Sequence, residues 1–140
     1  MTNNSTSSIS LTDNDKLTLA TAAHGAITLI TAAGVKSAGK VAVAGALALS
    51  AATGPVGHAL AEKQKSVKLK GKSTAELADT VLPALTASMS LLQQQDQTEA
   101  ANFRSTVLTA VEAGARAEHG GTGPAMTEMI RKITEALDAA

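Results

Sequence analysis

The segment GVKSAGKV, which begins at Gly34, carries the residue types with which proteins bind phosphate. Gly34, Gly39 and Lys40 fall in register with the pattern G-x-x-x-x-G-K-[ST], whose backbone amides and lysine hold phosphate oxygens. The last position is Val41, which lacks the hydroxyl that would ligate Mg²⁺. A phosphate loop also belongs to a parallel sheet, and the chain shows no alternation of strands with helices. We therefore expect no nucleotide cofactor and interpret the segment as a turn, in which Gly34 ends one helix and Ser37 caps the next.

The candidate metal ligands are the three histidines and one glutamate, namely His24, His58, Glu62 and His119. His58 and Glu62 are four residues apart, which places an imidazole and a carboxylate on one helical face. A structural zinc site takes four ligands, so His24 and His119 are the candidates that would complete it. The alternative is a solvated pair on a helix, and the Glu-x-x-His pair of di-iron bundles does not occur in the chain. We interpret the pair as solvated and keep the metal site as an alternative.

Lysines are concentrated in the segment KQKSVKLKGK, residues 63–72. Such a cluster binds phosphate, an anionic lipid surface or an acidic partner, or forms a solvated basic loop. The segment has no arginine or aromatic residue to read or stack on bases, so we expect no nucleic acid. The candidate anion or partner contacts are Lys36, Lys40, Lys65, Lys68, Lys70 and Lys72.

No set of residues indicates covalent or acid–base catalysis. Serine and threonine are plentiful, but the chain contains no G-x-S-x-G nucleophile elbow. Titratable groups adjoin glycines at Glu118-His119-Gly-Gly, a pattern that is equally typical of a helix end. We therefore assign no catalytic residue.

The composition limits the kind of core that the chain can form. Among 140 residues the only aromatic one is Phe103, so the core must consist of Ala, Leu, Val, Ile and Met. The absence of cysteine excludes disulfides and thiolate metal sites, and twelve basic residues balance twelve acidic ones. The polar start predicts a disordered lead over residues 1–11, followed by a single helical domain over residues 12–140.

Helix start signals occur at four places. Thr12 with Asp15 forms a near capping box, and Ser73 with Glu76 forms a full one. Asp96 with Glu99 separates two helices, and Pro124 suits the first turn of another.

Hydrophobic residues recur at helical spacing in the second half of the chain and predict three amphipathic helices within residues 74–139. Pro83 should kink or restart the first of them. The three stripes comprise Leu77, Ala78, Val81, Leu85, Met89 and Leu92, then Phe103, Val107, Leu108, Val111 and Ala115, then Met126, Met129, Ile130, Ile133 and Leu137.

The first half of the chain contains two long uncharged runs, separated by Lys36 and Lys40. They predict an apolar hairpin over residues 12–65, with its second part made of helices at about 37–53 and 55–65. We expect 17–35 and 41–52 to be the buried centre of the protein. The same runs also fit a membrane hairpin at 17–61, although their Ala, Thr, Gly and His content weakens that alternative.

Two segments of the chain resemble known helical proteins. LTDNDKLTLATAAHGAITLITAAG and FRSTVLTAVEAGARAEHGG followed by MTEMIRKITEAL are similar to small all-α proteins of actinomycetes, a resemblance that implies a helical fold and a bacterial cytoplasmic setting. The second segment is also similar to tellurite-resistance TerB-like domains. Their acidic metal-binding turn is replaced here by AEHGGTGP, which puts a metal role in doubt.

The sequence therefore predicts an all-α protein, a compact bundle of about five to six helices with an Ala/Leu-rich core. Its expected function is that of a small non-enzymatic binding or regulatory protein that binds a protein partner or associates with itself, because Ala- and Gly-faced helices pack closely. A membrane-associated protein is the second hypothesis, and an enzyme that uses one of the histidines is the third.

Overall fold

A computed structural model describes residues 9–33, 35–69 and 71–140 of the protein. Over these residues the fold is all-α, without strands, and the predicted helical bundle is confirmed. The helices are α1 (Asp13–Ala32), α2 (Ala38–Ser50), α3 (Gly54–Glu62), α4 (Thr74–Gln93), α5 (Gln97–Ala117) and α6 (Pro124–Asp138), and a short 3₁₀ turn covers Gln64–Ser66.

Helix α1 lies at the centre of the bundle and contacts each of the other five helices. Its start is fixed by a complete capping box, in which Thr12 Oγ1 accepts from the Asp15 amide at 3.0 Å and Asp15 Oδ2 accepts from the Thr12 amide at 3.1 Å. Five of the nine buried positions of α1 are alanine or glycine, and Leu19, Leu29 and Ile30 are fully buried. Small side chains let the neighbouring helices approach the axis of α1 from every side. The prediction that the first uncharged run is buried is confirmed.

The amphipathic helices α4, α5 and α6 bury most of the stripes that the sequence predicts, whereas Ala78, Leu108, Ala115 and Ile130 are only partly buried. Phe103 is fully buried, and leucine and alanine are the commonest core residues. Pro83 does not restart α4, which continues unbroken from Thr74 to Gln93. The carbonyl that loses its helical donor at Pro83 belongs to Asp79, and both residues are exposed, so water can satisfy that carbonyl.

Helix α2 departs from the prediction in length and in burial. It ends at Ser50 rather than near residue 53, because the Ala51 and Ala52 amides turn back to the Ala48 and Leu49 carbonyls. The second uncharged run is not a buried centre: along α2 only Val41, Gly45 and Leu49 are buried. Val43 and Leu47 on the outer face are 59% and 65% exposed.

Two further predictions concern the chain start and the membrane. Residues 9–11, which we assigned to a disordered lead, contact the core through Ile9 and Leu11. Ser10 and Gln95 also exchange two hydrogen bonds, of 2.6 and 2.9 Å. None of the described helices combines the length and the hydrophobicity that a membrane crossing requires.

Candidate functional site

A groove of about 840 Å³ lies between α1, α2 and the lysine-rich segment that follows α3. Its floor is apolar and consists of Ile27 from α1, Leu49 from α2, and Val67 and Leu69 from the segment. Smaller hollows that share lining residues with it adjoin it along the second half of α1, from His24 to Ala32. Eight residues of helix span about 12 Å, so the depression is elongated along the α1–α2 contact.

The segment 67–72 positions lysines along one edge of this groove. Val67 has an extended backbone, so the side chains of Val67 and Lys68 point to opposite sides. Leu69 is buried and Val67 half-buried, whereas Lys68 and Lys72 are exposed and line the groove. Leu69 is close to α1 because Gly25 has no side chain, and a Cβ at Gly25 would lie 3.3 Å from Leu69 Cδ1. The apolar residues thus anchor the segment, and the lysines face the groove opening.

The charged residues that line the groove are all lysines. Lys65, Lys68 and Lys72 line it, and among the described residues none of their ammonium groups has a carboxylate within salt-bridge distance. No acidic residue is part of the lining. Residues 16–75 contain eight lysines and a single carboxylate, Glu62, so the part of the chain that forms the groove has an excess of positive charge.

His24 is the one histidine that lines the groove. Its Nε2 lies 3.1 Å from the Leu60 carbonyl oxygen, and because a carbonyl only accepts, Nε2 carries the hydrogen. This nitrogen is therefore not available as a metal ligand, and Nδ1 is the ring nitrogen left for another partner.

The other candidate metal ligands lie elsewhere. His58 and Glu62 are on α3, and Glu62 is paired with the ammonium groups of Lys16 at 3.2 Å and Lys63 at 3.7 Å. His119 follows α5, where its backbone amide donates to Ser37 Oγ at 3.1 Å. Within the described part of the chain, no three histidine, aspartate or glutamate residues come together as a metal site.

The segment that fits the phosphate pattern is the connection between α1 and α2. Its first residue, Gly34, lies outside the described residues, as does Lys70 of the lysine-rich segment. Ser37 precedes α2 as expected, but its hydroxyl does not cap the helix. Instead the Glu118 carboxylate accepts from the Lys36 and Ser37 amides, at 2.8 and 2.9 Å. The backbone amides just before α2 are therefore already hydrogen-bonded to a side chain of the protein itself. Lys40 lies in the first turn of α2 and is exposed.

Sequence reasoning identified part of the groove and missed part of it. Three of the six candidate lysines and His24 meet there, although they are separated by about forty residues of chain. The floor residues were not identified as a site. The alternation Val67-Lys68-Leu69 was the available indication, because it predicts that the two sides of the segment face different surroundings.

Comparison with known proteins does not assign the chain to a family or a function. No family model, curated protein or solved structure matches the chain. The resemblance to actinomycete and TerB-like helical proteins therefore stays a prediction, and the function must be argued from the groove and from the charges around it.

Proposed function

We propose that the protein is a non-enzymatic binding protein whose groove holds an anionic amphiphile, a molecule with a hydrocarbon chain and a carboxylate or phosphate head. One observation carries the proposal: an elongated apolar floor lies beside three lysines, with no carboxylate in the lining. The two parts of the ligand correspond to these two parts of the groove.

Both contributions are large enough to give measurable affinity. Burial of a hydrocarbon chain contributes about 0.8 kcal/mol for each CH₂ group. A hydrogen bond between a charged head and a lysine ammonium group contributes roughly 1.5–3 kcal/mol where water is partly excluded. The volume of the groove lies within the range of known ligand pockets, roughly 300–1,000 Å³.

Calorimetric titration with dodecanoate and dodecyl phosphate, kept below their micelle concentrations, tests the proposal. Both should bind saturably, whereas dodecanol and dodecyltrimethylammonium should bind at least about tenfold more weakly, since they forgo the lysine contacts. Equal affinity for the cationic and anionic amphiphiles would contradict the proposal.

Two variants locate the site. Replacing Lys65, Lys68 and Lys72 by glutamine should weaken binding by about tenfold or more. The matched control replaces Lys36, Lys40 and Lys132, which change the net charge equally but do not line the groove, and it should lose much less affinity than the groove variant. Ala46→Phe fills the groove from the exposed side of α2 without removing charge, and it should also weaken binding.

An experiment with vesicles distinguishes binding of single amphiphile molecules from binding to a membrane surface. We commit to single amphiphile molecules, because the floor lies in a groove rather than on a protruding face. If phosphatidylglycerol vesicles bind the protein while monomeric dodecanoate does not, the groove proposal fails and the membrane-associated alternative takes its place.

Self-association through the outer face of α2 is a second candidate function. The observation that favours it is the exposure of Val43 and Leu47, which lie one helical turn apart. In an antiparallel pair of α2 helices, Lys40 in the first turn would lie beside the last turn of the partner helix, whose carbonyl end favours a cation. We propose a second copy of the chain as the occupant of this face.

The remaining hypotheses are supported less by the geometry. The three histidines lie in three separate places, so no observation favours a histidine-centred enzyme. A bacterial, cytoplasmic setting stays a proposal that only the resemblance supports.

A further inference from the structure

Glu99, in the first turn of α5, is a buried carboxylate with an unused acceptor. Its side chain is 9% exposed. Oε1 has no hydrogen-bond donor, and it is the one buried side-chain nitrogen or oxygen of the described residues that lacks a partner. Such a group costs roughly 1–3 kcal/mol, so an unpartnered carboxylate in a small protein calls for an explanation.

The sequence explains why the Glu99 carboxylate has no hydrogen-bond donor in the first turn of its own helix. With Asp96 as N-cap, Glu99 occupies the position from which a capping-box side chain returns to the N-cap amide. The Asp96 amide instead donates to the Leu92 carbonyl at 2.7 Å, because α4 ends only three residues earlier. The Glu99 carboxylate therefore has no donor within its own turn and lies against Gly54 at the start of α3, where a Cβ would be 3.9 and 4.0 Å from its two oxygens.

This carboxylate lines a second pocket, of about 710 Å³, between the chain start, α3 and α5. The pocket shares no lining residue with the groove. Ile9, Leu11, Pro55 and Ala59 give it apolar walls. A Gly54 with φ of +72° leaves the space beside the carboxylate free of a side chain.

Two helix starts and two basic side chains surround the Glu99 carboxylate. The carboxylate lies at the amino-terminal ends of α3 and α5, where helix dipoles stabilise negative charge. Lys16 also lines the pocket, but its ammonium is engaged by Glu62 at 3.2 Å. His58 completes the polar lining from an exposed position.

We propose that this pocket binds a small organic cation, a primary ammonium group with an apolar substituent, and that Glu99 accepts its hydrogen bonds. An ammonium group supplies the donors that Oε1 lacks, and rotation of the terminal carboxylate torsion presents either oxygen to it. The apolar walls fit the hydrocarbon part. A metal ion fits less well, because no group of three potential ligands is found in the described chain.

Nuclear magnetic resonance titration with n-butylammonium tests the proposal, and n-butanol serves as its neutral counterpart. The Gly54 and Ala59 amide signals should shift saturably with butylammonium, and butanol should bind at least about tenfold more weakly. Glu99→Gln should abolish the butylammonium shifts, while Glu112→Gln, an exposed change on the same helix, should leave them intact. Equal affinity for both probes would show that the ammonium charge contributes nothing to binding, and this result would overturn the proposal.

The melting temperature provides an independent readout. A buried carboxylate whose role is to bind a ligand destabilises the protein when the ligand is absent. Glu99→Met should therefore leave Tm unchanged or raise it by a few degrees. If Glu99→Met lowers Tm, the carboxylate has a structural partner in solution and the proposal is wrong. Neither experiment involves the lysines of the groove, so failure here leaves the amphiphile proposal standing, and the reverse also holds.

Discussion

At the scale of single residues, Glu118 links the end of α5 to the start of α2. Glu118 is buried, with 9% of the residue exposed, and its carboxylate accepts from two backbone amides more than eighty residues away in the chain. The hydrogen bond from the Lys36 amide is the main reason that the pKa of Glu118 lies below its usual value, and the Ser37 amide acts in the same direction. A lowered pKa means that the native state favours the ionised carboxylate.

Glu118 should therefore make the stability of the protein depend on pH. A carboxylate with a lowered native pKa stabilises the native state above its unfolded-state pKa, about 4.3, and this contribution is lost as the pH falls through the native value. Glu118→Gln should lower Tm near neutral pH, and the difference from the parent should shrink at about pH 3. Melting curves of the parent, Glu118→Gln and Glu112→Gln measure it. A difference that is the same at both pH values would show that the ionised form plays no part.

At the scale of helices, glycine sets how closely α1 approaches α4. A Cβ at Gly25 would collide with Val81 Cγ2 and lie 3.3 Å from Leu69 Cδ1. The same glycine thus governs the packing of α4 and the anchoring of the lysine-rich segment, which connects the core to the edge of the groove.

Two glycine substitutions should have opposite effects. Gly25→Ala should lower the free energy of unfolding by about 1–3 kcal/mol, because overpacking forces α1 and α4 apart. Gly39→Ala in α2, where a Cβ would meet nothing within 4 Å, should raise it by roughly 0.5–1 kcal/mol through helix propensity. Urea denaturation measures both values. Stabilisation by Gly25→Ala would show that the contact is looser than the structure indicates.

At the scale of the whole molecule, a net charge of zero conceals an uneven distribution. Residues 16–75 carry eight lysines and one carboxylate, whereas residues 76–140 carry nine carboxylates and four basic residues. The groove belongs to the first part, so long-range attraction and direct lysine contacts act together on an anionic ligand. Both contributions are screened by salt.

The exposed face of α2 also belongs to this scale, because it concerns how copies of the chain meet. If α2 forms a copy–copy contact, sedimentation equilibrium should detect a concentration-dependent dimer. Leu47→Glu should yield a monomer with unchanged helix content, since Leu47 is 65% exposed in the single chain. Ala101→Glu, at an exposed position of α5, is the matched control. A parent protein that stays monomeric at all concentrations contradicts this proposal.

The sequence by itself determined the features that depend on near neighbours along the chain. The capping boxes at Thr12 and Ser73 join residues three apart, and the stripe that ends at Leu137 repeats at helical spacing, so both form as the sequence predicts. It also identified Lys65, Lys68 and Lys72 as candidate contacts, because a charge cluster is visible without a fold.

Only the tertiary structure decided which of those residues are buried and which of them come together on one surface. The burial of α2 could not be predicted, because a run without charged residues has no polar face to mark the side that meets water, and half of it proved exposed. Glu99 lies in the first turn of α5 and Glu118 directly after its last turn, yet one lines a pocket and the other holds a distant turn. Their roles differ because backbone amides from a distant part of the chain donate to Glu118, whereas no group donates to Oε1 of Glu99. A hydrogen bond across eighty residues leaves no pattern in the sequence, because only folding brings its two partners together.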